Sequence, residues 1–147
     1  MYTDIFDYVF YNTDIIKNFI TEVFNYYNGK INIFSLAVLN IDLGWYNGPW
    51  LGVTRFPNIV TVYPVSAACS VDNRRGMLFN DRLNMFKYYI IQTIVHELHH
   101  VDQDFIRYRS SRDSLVEKEV KEETYLYLLG HKQELEKFGV DTSSKYV

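Results

Sequence analysis

Residues 92–105 read QTIVHELHHVDQDF and set His96, Glu97, His99 and His100 inside an otherwise apolar run. Three of the chain's four histidines fall here. At helical spacing, Ile90, Ile94, Leu98, Val101 and Phe105 form one stripe, which Ile91 and Val95 widen. A stripe that wide needs a core to pack on. No proline follows Pro64, so a long helix over 82–106 is predicted. His96 and His100 are four apart and stack one turn above the other, on a different face from the stripe. Tyr89, Thr93 and Gln103 fall near that second face.

The residues 96–100 spell H-E-x-x-H. The spacing has a chemical reason. Two imidazoles at i and i+4 can both reach one Zn²⁺ at about 2.0–2.1 Å. A carboxylate one residue after the first His lies beside the metal without binding it, where it can act as a general base. The plainer reading is a helix whose histidines only make hydrogen bonds. Burying three imidazoles and a carboxylate without partners is costly, however, so the spacing favours a metal site. His99 points about a third of a turn away from the pair and reads as a neighbour or a surface group, not a ligand. Cys69 is the only cysteine, so any metal must be held by His and carboxylate.

Catalytic zinc usually has three protein ligands and an open position. Asp104 lies on the same helix, but its rise carries it past the metal. A second helix, antiparallel to the first, is predicted over 113–137 and offers Glu117, Glu119, Glu122 and Glu123. Val116, Val120, Thr124, Tyr127 and Leu128 mark its inward face, which Glu117 shares. Glu117 is therefore the preferred third ligand. Glu119 and Glu123 stay open, and Glu122 points outward. Ser114-x-x-Glu117 also fits a capping box, a purely structural use of Glu117.

The rest of the chain bounds the fold. Its 147 residues fit a single domain spanning 1–147. The three prolines (49, 57, 64) and four of the seven glycines lie between 29 and 64, which cuts this part into short strands and turns. Residues 14–27 show a helical period, with Asp14 placed to cap the start. The apolar run 31–41 is ambiguous between strand and helix, and 43–53 is turn-rich. NIVTVYPV (58–65) reads as a strand, and its flanking prolines favour an edge position. Residues 70–76 read as a loop, and the tail GVDTSSKYV as frayed. The expected class is α+β, with a small, mostly antiparallel sheet on the H-E-x-x-H helix.

A net charge of -3 with 22% charged residues gives no pull toward nucleic acid or anionic membrane. No run of about 18 apolar residues is present. The N-terminal stretch lacks a basic region followed by an apolar one, so a cytoplasmic location is the default expectation. Packaging into a virion is compatible with it. Oligomeric state is not legible.

VHELHHVDQ followed by VEKEVKEETYLYL resembles the zincin metallopeptidases of the gluzincin type. It is also similar to small peptidase-like proteins of phages and prophages, in which a Glu-led helix carries Val and Thr at +3 and +7. Glu117, Val120 and Thr124 match that second pattern. The resemblance covers 92–130 and implies a zincin-like fold, with an edge strand near 58–64 lying over the site and binding the substrate main chain. It implies a zinc-dependent peptidase acting on a peptide or protein, with Glu97 as general base and His96, His100 and Glu117 as ligands. Arg107, Tyr108, Tyr125, Tyr127 and His131 are candidates to stabilise an oxyanion. The rival expectation is a zinc-stapled interaction or structural protein without catalysis, which the 17% aromatic content would suit.

Overall fold

The computed structural model describes residues 2–44, 50–74, 76–107 and 114–147, apart from the side chains of 106 and 107. Its elements run α1 (Ile5–Tyr11), α2 (Thr13–Tyr27), β1 (Val38–Ile41), β2 (Gly52–Arg55), β3 (Ile59–Val62), α3 (Pro64–Asp72), α4 (Phe79–Arg107), α5 (Ser114–Gly130) and α6 (Lys132–Lys137). The class is α+β. The sheet is mixed, not mostly antiparallel: β3 pairs parallel with β1 and antiparallel with β2, in the order β1-β3-β2.

The strand expected at the edge, β3, is thus the central one. Its prolines lie outside the ladder. Pro57 sits in the turn from β2, where the Phe56–Pro57 bond is cis, and Pro64 opens α3. Pro is well suited to the first position of a helix, whose N–H needs no partner. The β-branched run fits the centre: Val60 and Val62 are fully buried. The edge beside α4 is β2, half of which falls in the stretch read as turn.

The long helix α4 forms the axis of the fold, with α1, α2, α3, α5, β2 and β3 packed against it. Ile90, Ile91, Ile94, Val95, Leu98 and Val101 are fully buried, as the stripe predicts. Phe105 departs from it. It is 40% exposed and stacks on Phe34, ring centroids 5.6 Å apart, because the last turns of α4 outrun the core. Helix α2 answers α4 with Ile16, Ile20, Val23, Phe24 and Tyr27. Asp14 does not cap it. The N-cap position is Asn12, and Asp14 lies in the first turn, where its charge suits the helix dipole.

Three further expectations are corrected. Residues 64–72 are helical, so α3 covers part of the predicted loop. Six of its nine residues are buried, and a helix buried nearly all round leaves no amphipathic period to read. The predicted helix over 113–137 breaks at His131 into α5 and α6. The tail is anchored: Val140 is 2% exposed, and Asn84 and Asp141 exchange hydrogen bonds of 2.7 and 3.0 Å. The segment between the two predicted helices lies, beyond residue 107, outside the described residues. Among the described residues no helix is long and apolar enough to cross a membrane.

Asp72 ties the chain's start to this frame. Its carboxylate accepts N–H bonds from Ile5 and Phe6, both 2.9 Å, and a bond from Arg82 of 2.8 Å. It thereby caps α1 from a distance, while the sequence-local N-cap Asp4 makes no side-chain cap bond. Asp72→Ala should cost about 2–3 kcal/mol in urea unfolding, since two helix N–H groups and a guanidinium lose their acceptor. Asp72→Asn, which keeps one acceptor oxygen, should cost less.

Tyr27 and Tyr127 hold their protons well above the usual tyrosine range, through burial first and the nearby Glu134 next. Unfolded tyrosines ionise near pH 10. Above that pH the unfolded chain sheds protons that the folded chain retains, so stability falls as pH rises. Urea unfolding at about pH 9 and about pH 11 should show this loss, and Tyr27→Phe should reduce it.

Candidate functional site

The H-E-x-x-H turn lies in the second half of α4, where the helix carries its apolar stripe into the core and turns its other face toward α5 and β2. Val116, Val120 and Thr124 bury the inward face of α5 against it. That packing aims Glu117 at α4. Glu117 Oε1 is 2.8 Å from His96 Nε2, and its Oε2 is 3.0 Å from His100 Nε2. The two imidazoles lie one turn apart and meet edge to face, centroids 4.9 Å. One ligand atom from each of His96, His100 and Glu117 lies within 4.8 Å of the others, so the group could hold a metal ion. Ligand atoms about 2.1 Å from a tetrahedral zinc stand about 3.4 Å apart, so the donors need only small shifts to accept one. The donor set, two imidazoles and a carboxylate, is one that zinc takes.

Electrostatics agree with that set. Burial lowers the pKa of His96 against the opposing pull of Glu117, which favours the neutral imidazole that a metal requires. Burial raises Glu117, but His100 and His96 together outweigh it and hold the carboxyl below its ordinary range.

Glu97 is 6% exposed, with Oε2 3.9 Å from His96 Nε2. It lies beside the His/His/Glu group and outside it. Its other oxygen, Oε1, meets the Thr54 hydroxyl on β2 at 2.8 Å, and Thr54 also reaches the main-chain oxygen of Glu97 at 3.0 Å. A cavity of about 470 Å³ opens over His96, Glu97 and Glu117, bounded by Trp50, Leu51 and Gly52 on one side. Gln92, Thr93, Lys121 and Thr124 add polar groups to its wall.

The other candidates fall elsewhere. Asp104 is buried one turn past His100, outside the group. Glu119 is also outside it. Glu123 stands 4.0 Å from His99 Nε2 and accepts a bond from Gln103, and Glu122 is exposed. His99 turns its Nδ1 to the Val95 carbonyl at 2.9 Å. Among the oxyanion candidates, Tyr125 is exposed and Tyr127 donates to Glu134. His131 stacks on Tyr127 and bonds its carbonyl. None of these three lines the cavity. The Arg107 side chain and Tyr108 lie outside the described residues.

Gly52, Thr54, Gln92 and Lys121 were not singled out from sequence. Gly52 alone carried a signal, since a strand glycine often marks a close approach of backbone. Comparison with protein-family models, with curated proteins and with solved structures returns no match.

Proposed function

We propose that the chain is a zinc-dependent peptidase of zincin type, with His96, His100 and Glu117 as ligands and Glu97 as general base. The observation that supports this best is one juxtaposition: the three donors converge within 4.8 Å, and two of them, His96 and Glu117, line a cavity together with a buried fourth group, Glu97. Zinc in such a site supplies Lewis acidity toward a carbonyl oxygen and toward water at neutral pH. The chain's own groups do the rest. Glu97 takes a proton from the attacking water and passes it to the leaving amine. Leu51 and Trp50 offer apolar contact to the substrate at the cavity wall, and Gln92 and Lys121 stand where they can donate to it.

A second reading, a zinc-stapled interaction protein, has its own support. The site joins α4 to α5, and the stacked Phe34 and Phe105 are 55% and 40% exposed, which suits a contact surface. Both readings need zinc, but only the peptidase needs a base. The test is elemental analysis of protein purified without chelator, followed by a mass-spectrometric peptide-library screen. About one zinc per chain with cleavage supports the peptidase. Zinc without cleavage moves support to the staple, and no zinc after reloading removes both.

A further inference from the structure

We propose that Thr54 is a positioning residue for Glu97: its hydroxyl fixes the carboxylate so that Oε2 faces the His96 side. The consequence for catalysis rests on the peptidase reading; the orienting contact does not.

The geometry begins with Gly52. It lies two residues before Thr54, so both present the same side of β2. A Cβ on Gly52 would stand 2.5 Å from Thr93 Cγ2 and 3.3 Å from Glu97 Cγ. Glycine therefore lets β2 lie directly on the H-E-x-x-H turn. That approach delivers Thr54 Oγ1 to 2.8 Å from Glu97 Oε1. Thr54 is 2% exposed and β-branched, so its χ1 is stiff and its hydroxyl is a fixed point. A glutamate has three rotatable bonds, and one held oxygen removes most of that freedom. With Oε1 on Thr54, Oε2 lies on the side of the His/His/Glu group, 3.9 Å from His96 Nε2. A bond from a hydroxyl to a carboxylate is also stronger than one between neutral groups.

The plainer role for Thr54 is to satisfy polar atoms where a strand meets a helix. Two readouts separate the roles. The first needs neither metal nor substrate: urea unfolding of the metal-free wild type, Thr54→Val, Glu97→Ala and the double variant. A hydroxyl that holds the Glu97 carboxylate makes the two losses non-additive, whereas one spent on the Glu97 main-chain oxygen, 3.0 Å away, leaves them additive. The second is the affinity of the zinc-loaded protein for acetohydroxamate, a chelator that also donates a hydrogen bond to a neighbouring carboxylate. Thr54→Val should bind it roughly tenfold more weakly with zinc per chain unchanged. Thr54→Ser should restore binding, and Thr54→Val should add nothing in the Glu97→Ala background. Wild-type affinity in Thr54→Val, or a loss that persists without Glu97, overturns the proposal. If the chain holds no zinc, the peptidase reading falls, and the unfolding cycle alone decides: additive losses overturn the Thr54 proposal and non-additive losses sustain it.

Discussion

Glu97→Gln is expected to lower peptide hydrolysis by about 10²–10⁴-fold while zinc per chain stays at the wild-type level. The substitution keeps the shape of the side chain and removes its basicity. The amide oxygen can still accept the Thr54 hydroxyl, so the side chain keeps its place against β2. Glu97 lies outside the group of three converging donors, so zinc should be retained. Glu97 is 6% exposed, and an uncharged amide is no harder to bury than a carboxylate, so stability should hold. The loss should appear in kcat with KM unchanged, because a base acts only as the proton moves. Activity within tenfold of wild type would remove Glu97 from the base role. Zinc retained by a wild type that cleaves nothing would favour the staple.

The site was more legible than the fold around it, for a physical reason. A helix fixes the directions of its side chains from spacing alone, so His96 and His100 could be stacked on paper, and the buried stripe of Ile90, Ile94, Leu98 and Val101 followed from the same period. Phe105 obeys that period too, yet it is exposed, because the period cannot say where the core ends. Glu117 could be preferred over Glu119 and Glu123 because Val116, Val120 and Thr124 define one face. That its carboxylate spans both imidazoles depends on how α5 packs on α4, which no local pattern encodes. The sheet was misjudged because the flanking prolines argued for an edge, whereas Pro57 and Pro64 lie outside the ladder and leave its bonds intact. Thr54 was invisible: it lies 43 residues from Glu97, and only the pairing of β2 with β3 over α4 brings them together.

His100→Ala should reduce zinc from about one per chain to near none and abolish any rise in Tm on adding zinc. His100 is the most deeply buried of the three donors, at 2% exposure, and it shares the Glu117 carboxylate with His96. Without it two donors remain, one short of the set that a catalytic zinc usually takes. Ligand binding to the folded chain stabilises it by about 4 kcal/mol at a thousand times Kd, so the wild type should gain that much and the variant almost nothing. The metal-free variant should itself be weaker by about 1–3 kcal/mol, since a buried imidazole and its hydrogen bond to Glu117 are lost. His99→Ala is the control: its Nδ1 faces the Val95 carbonyl and it lies outside the group, so zinc should stay. Loss of zinc in both variants would show a fold effect and not a ligand effect. A wild type whose Tm ignores zinc would remove the peptidase and the staple together, because both depend on an ion held between α4 and α5.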